Sequence, residues 1–356
     1  MLKSASSPGR PASPYHAQPA RAFWRRGVAA DPGGALCGLW QPDAPITCRT
    51  AIATYGSCFA QHVSRALIRA GFNWLDCEPP PAGLSLEHAG AFGYRQFSSR
   101  TGNIHTAAML RQWCEWALAG TEIPAEIWYE GTRLIDPFRP RIEPDGFGDR
   151  AELLAARTST LAAFRASVAT ADLLIFTLGL TECWRHRDGH EYPLCPGTAG
   201  GRFDAARHHF VNQDYPAILA DLNRAIALMQ RVNPGIRLLL SVSPVPLAAT
   251  AGPDHVVVAT TYSKSVLRAA AGAVAAANAA VDYFPSYEMI TSPVGQGRFF
   301  AANQRDVTDQ GVQFVMQQFF RAIGHQPGIA ARGADPDAAD AVICDEEMQA
   351  AFGQSA

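Results

Sequence analysis

Short apolar runs alternate with segments of helical periodicity through the middle of the chain. The runs "AIATY" (51–55), "ADLLIFTLG" (171–179) and "IRLLLSVS" (236–243) are nearly continuous, which is typical of strands buried on both faces. A shorter run, "VDYFPSY" (281–287), follows later. Because strands separated by helices form βαβ units, we expect an α/β domain with three layers, α/β/α, around a mostly parallel sheet.

The segments between these runs carry apolar residues at helical spacing. Helices are predicted over 59–70, 104–120, 215–232 and 263–280, with a last one from about residue 308. Gly71 follows the first of them at the position where helices commonly end. The stretch 182–212 has no regular period and is predicted to be irregular.

Polar loops marked by glycine or proline separate these predicted elements. They contain Gly56-Ser57, Gly102-Asn103, Gly179 to Glu182, and Ser243 to Pro246. In a parallel sheet, ligands bind at the carboxyl ends of the strands. We therefore expect the four loops to meet on one edge of the sheet and to form the functional site there.

The two ends of the chain differ from its middle. Residues 1–45 begin with a stretch rich in Pro, Ser and Ala and predict a flexible arm, which "AFWRRGV" (22–28) would attach to the body. Residues 327–356 are rich in Ala and acidic residues and predict a peripheral tail. The folded domain is therefore expected to span 46–326.

Composition narrows the class of protein. Hydrophobic residues make up 48% and charged residues 17%, which suits a globular domain with a large core. The net charge of −2 gives no electrostatic reason to expect binding to nucleic acid or to an anionic membrane. The chain has no apolar run suited to a signal peptide or a membrane span.

The eight cysteines are scattered and form no C-x-x-C pair, so we expect neither a metal site nor a disulfide framework. Free thiols of this kind favour a cytoplasmic location. The positions are Cys37, Cys48, Cys58, Cys77, Cys114, Cys183, Cys195 and Cys344.

Ser57 lies where the first predicted strand becomes a helix, and two roles fit that position. Its hydroxyl can cap the helix by accepting from a backbone N–H two or three residues on. Alternatively it can act as a nucleophile, because backbone N–H groups at a helix start stabilise an oxyanion. Cys58 shares the helix start, and we expect its side chain to point away from Ser57 and to pack.

The sequence "GSCFA" at 56–60 resembles the signature of the GSCFA-domain family, a bacterial group placed near the SGNH or GDSL-type esterases. Further segments agree with that family over about residues 46–322. They are "GNIHTA", "TLGLTECW", "PLCPGTAGG", "SPVPL", "TYSKSVLRA" and "RFFAANQRDVT".

The resemblance implies an SGNH-hydrolase-like fold with Ser57 as the nucleophile. It places Gly102 or Asn103 on the second conserved block of those esterases. In the third block Thr181 and Glu182 replace the usual asparagine and aspartate. The fourth block departs most, because Asn303 and Asp306 stand where the esterases carry the aspartate and histidine of a D-x-x-H motif.

A serine hydroxyl needs a base to accept its proton, and several residues compete for this role. His255, after the fourth loop, is the favoured candidate, and His105 is the alternative. Glu182 can serve as base or orienting group, or it can form a structural ion pair with Lys264. Lys264 is itself a candidate, since serine with lysine as base is known chemistry in hydrolases.

We therefore expect a serine esterase or acyltransferase acting on an acyl ester, such as an O-acylated carbohydrate, without cofactor or metal. Ser57, His255 and Glu182 are the expected catalytic residues. The residues expected to bind the oxyanion or substrate are Gly56, Cys58, Gly102, Asn103, Thr181, His105 and Lys264. The alternative is a degenerate domain that binds a glycan or an acylated ligand without turnover.

Overall fold

The computed structural model of the protein describes residues 13–30, 36, 38–325 and 347–350. The predictions for residues 1–12, and for the tail from 327 onward except 347–350, concern residues outside this part of the chain. Cys37 and Cys344 lie outside it as well.

The strands are β1 (Ile52–Gly56), β2 (Trp128–Glu130), β3 (Arg133–Ile135), β4 (Leu173–Leu178), β5 (Glu182–His186), β6 (Glu191–Tyr192), β7 (His208–Asn212), β8 (Arg237–Val242) and β9 (Val281–Tyr283). The α-helices are α1 (Trp24–Gly27), α2 (Cys58–Arg69), α3 (Leu86–Ala91), α4 (Ala107–Ala119), α5 (Arg150–Thr170), α6 (Tyr215–Val232), α7 (Val256–Ala277), α8 (Ser286–Thr291), α9 (Asp309–Ala322) and α10 (Glu347–Ala350). Short 3₁₀ helices span Pro14–Ala17, Ala20–Ala22 and Pro293–Gly295.

The central sheet is parallel, with the strand order β1-β4-β8-β9. Gly56 at the end of β1 lies opposite Thr177 of β4. A further parallel bridge joins Ile52 to Trp74 on the other side of β1. The predicted α/β class and parallel sheet are thereby confirmed.

Side chains of this sheet alternate between two buried clusters. Tyr55 and Phe176 belong to a cluster that includes residues of α4, α5, α6 and α7. Ile52 and Ile175 belong to a second cluster, with residues of α2, α8 and α9. Burying a large apolar side chain contributes about 1.5–3 kcal/mol to stability. Because both faces of these strands are buried, successive residues are apolar, and the strands appear as continuous apolar runs in the sequence.

The segment 182–212 forms a separate antiparallel sheet with the order β6-β5-β7. The expectation of an irregular segment was therefore wrong for its strands. Trp184 lies opposite both Tyr192 and Phe210, so cross-strand pairs of aromatic side chains stabilise the sheet. The alternation of apolar and polar residues did not reveal these strands, because polar residues and the long connection between β6 and β7 interrupt the pattern.

Helix α7 begins at Val256, seven residues before the predicted start. His255 is its N-cap, and the Nδ1 atom of His255 accepts from the N–H of Val257 at 3.2 Å. The residues Val256 to Tyr262 have modest helix propensity, and the cap favours helix formation through them. Lys264 consequently lies well inside the helix rather than at its head.

Trp40 connects the N-terminal segment to the domain. Its indole Nε1 donates to the Asp282 carboxylate at 2.9 Å, and its ring stacks on Phe319 with centroids 5.6 Å apart. In contrast, α1, which lies within the predicted attachment at 22–28, has no buried residue.

A buried ion cluster joins the end of β3 to α5. The Asp136 carboxylate accepts from Arg139 and from Arg157, each at 2.9 Å. Burial alone would raise the pKa of Asp136, but the two guanidinium groups outweigh it and lower that pKa below its ordinary value. Asp136 is therefore an anion at neutral pH, and through Arg157 it holds α5 against the loop after β3.

In the described part of the chain, every helix is too short or too polar to cross a lipid bilayer.

Candidate functional site

Ser57 directly follows β1 and directly precedes α2. Its N–H donates to the Thr177 carbonyl oxygen at 3.0 Å, so the chain stays paired with β4 up to this residue. Its backbone is extended, with φ −72° and ψ 176°, and α2 starts at the next residue. The serine thus lies at the carboxyl edge of the sheet, where it is buried.

The Ser57 hydroxyl does not cap α2, although the residue occupies the N-cap position. Its oxygen is buried and has no hydrogen-bond partner among the residues that the structure describes. Thr106 and Thr308, the N-caps of α4 and α9, do accept from backbone N–H groups of their helices. The simple capping interpretation of Ser57 therefore fails, and a buried hydroxyl without a partner needs another explanation.

Two glycines allow the backbone to approach Ser57 closely. Gly56 has a φ of +136°, and a Cβ there would lie 2.4 Å from the carbonyl oxygen of Thr177. At Gly179, after β4, a Cβ would lie 2.9 Å from Ser57 Cβ and 3.1 Å from the carbonyl oxygen of His105. Any side chain at these two positions would separate the strand ends.

The backbone of His105 lies beside Ser57 and Gly179. Its carbonyl oxygen accepts from the N–H groups of Gly179 and Leu180 at 2.9 and 3.1 Å. The preceding residue, Ile104, donates its N–H to the Gly56 carbonyl oxygen at 2.8 Å. The structure therefore brings the first, second and third predicted loops together around Ser57.

Asn103 and Gly102 complete the second loop. Asn103 is buried, and its Oδ1 accepts from Gln61 Nε2 of α2 at 3.2 Å, which orients the amide toward the helix that Ser57 precedes. Gly102 has a φ of +65°, and a Cβ there would meet no atom within 4 Å. Backbone conformation rather than crowding therefore explains glycine at this position.

Buried polar side chains bond to the third predicted loop, which begins at Gly179 after β4. Lys264 is 1% exposed, and its Nζ donates to the Gly179 carbonyl oxygen at 2.7 Å. Thr181 donates its hydroxyl to Asn212 Oδ1 at 2.7 Å, and its N–H donates to Ser263 Oγ at 3.1 Å. These bonds hold the loop after β4 against α7 and β7.

His255 is not brought to Ser57. It is exposed, its ring caps α7, and no hydrogen bond joins it to the serine hydroxyl. Asn303 and Asp306, at the positions of the esterase D-x-x-H motif, bond to each other at 2.7 Å within their own turn. Of the two histidines favoured from the sequence, His105 is the one that shares a site with Ser57.

A cavity of about 440 Å³ adjoins this site. His105, Leu180 and Glu182 line one side of it. The Thr250 hydroxyl donates to Glu182 Oε1 at 2.7 Å on the same wall. Ser57 and Cys58 are buried and are not among the lining residues, so the cavity lies next to the serine rather than directly over it.

Other residues of the lining were not expected from the sequence to form part of the site. They come from the antiparallel sheet, from the loop 193–198 and from the chain after β8, and they include Tyr192, Trp184, Phe203, Phe210 and Leu247. The signal that could have found them is the group of aromatic residues within 182–212, next to a predicted site loop. Within the described residues, no group of three His, Cys, Asp or Glu side chains is arranged to hold a metal ion.

The fold and the site together define an α/β protein with a buried serine, backed by two glycines and a histidine, at the carboxyl edge of a parallel sheet. Residues 51–319 match the GSCFA family, so the chain belongs to that family. The matched range contains Ser57, His105, Gly179 and Lys264. A comparison with curated proteins finds no match.

Proposed function

We propose that this GSCFA protein is a serine-dependent esterase or acyltransferase acting on an acyl ester, with the three-layer fold of the SGNH type. The observation that carries the proposal is the Ser57 hydroxyl, which is buried, makes no cap and has no hydrogen-bond partner among the described residues. Such a hydroxyl costs about 1–3 kcal/mol of stability, and a cost of this kind is typical of functional residues.

The position of Ser57 in the sheet supports the proposal. If the bridge at Trp74 is counted as a second strand, the order is 2-1-3-4-5, as in doubly wound α/β proteins. In that order the ligand binds at the carboxyl ends of the first and third strands, where the direction of winding changes. Ser57 and Gly179 follow these two strand ends here.

In the proposed reaction, the Ser57 oxygen attacks the ester carbonyl carbon while His105 accepts the hydroxyl proton. The tetrahedral intermediate collapses, and the alcohol leaves with the proton that His105 returns. Water or an acceptor hydroxyl then attacks the acyl-serine by the same route, which gives hydrolysis or acyl transfer. His105 must approach the serine through a change of side-chain conformation when substrate binds.

Two groups are suited to stabilising the oxyanion. Backbone N–H groups at the start of α2 lie at the positive end of the helix dipole, beside the serine. The Asn103 amide is oriented toward α2 by its bond with Gln61. Lys264 positions the carbonyl of Gly179 behind the site.

Labelling with a fluorophosphonate probe tests this proposal. We expect the wild-type protein to be labelled and the Ser57→Ala variant to remain unlabelled. His105→Ala should slow labelling by about 10²-fold or more, the usual contribution of a general base. His255→Ala is the matched control, and its labelling should stay close to wild type. Equal labelling of wild type and Ser57→Ala would contradict the proposal.

The second candidate function is a binding domain without turnover, which recognises a glycan or an acylated ligand. Two observations favour it: Ser57 is buried and does not line the cavity, and Asn303 and Asp306 bond to each other. Failure of the folded wild-type protein to react with the fluorophosphonate would support this function over the esterase.

A further inference from the structure

We propose that the cavity beside Ser57 holds the apolar acyl chain of the ester, so that the preferred substrates carry medium-length acyl groups rather than acetyl. This inference rests on the proposed function and specifies its substrate class.

The chemistry of the lining selects an apolar occupant. Trp184 meets Phe203 edge to face with ring centroids 5.3 Å apart, and it meets Phe210 at 5.8 Å. These rings line the cavity together with Leu180 and Leu247. Burial of flexible hydrocarbon against such a surface is the main favourable contribution that the cavity offers.

The lining also contains ionisable groups: His105, two cysteines, and Glu182, whose Oε1 accepts from the Thr250 hydroxyl at 2.7 Å. Burial raises the pKa of Cys183 well above its ordinary value and raises the pKa of Cys195 to about 11. Both thiols are therefore protonated at neutral pH and behave as small apolar groups. No lysine or arginine is among the described residues that line the cavity, so an anionic ligand has no counter-charge there.

Two residues of the cavity lining, His105 and Leu180, also belong to the serine site. The N–H of Leu180 donates to the carbonyl oxygen of His105 at 3.1 Å. Gly179, between Ser57 and Leu180, would bring a Cβ within 2.9 Å of Ser57 Cβ. We place the ester carbonyl carbon between Ser57 and the side of the cavity lined by His105 and Leu180, so that the acyl chain extends among the aromatic lining residues.

The size of the cavity sets the length of the chain. At roughly 30 Å³ for each water-sized group, a volume of about 440 Å³ holds on the order of fifteen such groups. An acetyl group leaves most of this space without contact, whereas a chain of roughly ten carbons occupies most of it.

A series of p-nitrophenyl esters with a constant leaving group tests the kinetic consequence. Each methylene buried in the cavity should raise kcat/KM about fourfold, so that octanoate exceeds butyrate by about a hundredfold or more. A flat or falling series would overturn the inference. A matched series of alkyl acetates separates the two sides of the ester, because dependence on the alcohol chain alone would assign the cavity to the leaving group.

A variant that fills the cavity tests its location. Ala249→Phe places a ring among the lining residues, and Ala251→Phe is a second variant in case the first does not fold. Either should abolish the preference for octanoate over butyrate, and an unchanged far-UV circular dichroism spectrum shows that the variant is folded. Ala276→Phe, on an exposed position of α7, is the control and should keep the preference. An unchanged preference in both cavity variants would overturn the inference.

Binding without turnover separates this inference from the esterase proposal. In the Ser57→Ala variant, neutral methyl esters of four to twelve carbons are used to displace the fluorescent probe N-phenyl-1-naphthylamine. Displacement that strengthens with chain length and is lost with Ala249→Phe supports the cavity assignment even if the wild type has no esterase activity. Displacement independent of chain length would overturn the assignment even if the esterase proposal holds.

Discussion

Replacing Ser57 by alanine should not destabilise the protein, and should stabilise it. An ordinary N-cap serine costs about 0.5–2 kcal/mol when it is replaced by alanine, because a backbone N–H loses its partner. The Ser57 hydroxyl makes no such bond, so this loss does not occur. Removing a buried hydroxyl that has no partner in the described structure instead relieves a desolvation cost of about 1–3 kcal/mol. After the loss of a few packing contacts, we expect a gain of about 1–2 kcal/mol.

Equilibrium unfolding in urea, with the free energy extrapolated to water, measures this difference. Thr308→Ala is the control, since Thr308 caps the core helix α9 by accepting from the N–H of Gly311 at 3.2 Å. That variant should lose about 0.5–2 kcal/mol. If Ser57→Ala loses as much stability as Thr308→Ala, Ser57 is a structural cap, and the argument for a functional serine is refuted.

Three further changes have expected outcomes. Gly179→Ala should lower the free energy of unfolding in urea by about 1–2 kcal/mol and slow fluorophosphonate labelling, because its Cβ would crowd Ser57. Gly235→Ala is the control: its Cβ would meet no atom closer than 3.6 Å, so the change should be neutral or slightly stabilising. Asp136→Asn should lower the free energy of unfolding by about 3–5 kcal/mol, since two buried guanidinium groups lose their anionic partner. A loss below about 1 kcal/mol would contradict the stabilising role of this ion cluster. Burial lowers the pKa of His208 below its ordinary 6.5, so protonation favours the unfolded chain, and the free energy of unfolding should fall as the pH decreases below 6.5. His208→Asn should weaken this pH dependence. An unchanged pH profile of urea unfolding in that variant would contradict the assignment to His208.

The parallel core of the fold could be predicted from the sequence because its strands are buried on both faces. Such strands appear as continuous apolar runs, and α6 matched its predicted range of 215–232. Helix α5 was missed because it is only weakly amphipathic: Arg157 and Thr160 are buried on it through polar contacts with Asp136 and Glu78. Residue type alone does not reveal that polar residues face a buried ion cluster.

The part of the candidate site next to the strand ends could be predicted, because close backbone approach there requires glycine. Gly56 ends β1, Ser57 and Gly179 follow the ends of β1 and β4, and the close approach of these segments explains the two glycines. His255 and His105 could not be distinguished by sequence, because both follow predicted loops and only tertiary contacts show that His255 caps an exposed helix end. The cavity depends on a second sheet whose strands pair out of sequence order, and local periodicity carries no information about such pairing.

The most direct test of Ser57 as the nucleophile is to trap its acylated form. The wild-type protein is mixed with p-nitrophenyl octanoate, quenched in acid and digested, and the acylated peptide is identified by mass spectrometry. We predict an octanoyl group on Ser57 that is absent from Ser57→Ala. An octanoyl group on another residue, such as Cys58, or turnover of the ester without acylation of Ser57, would contradict the proposed function.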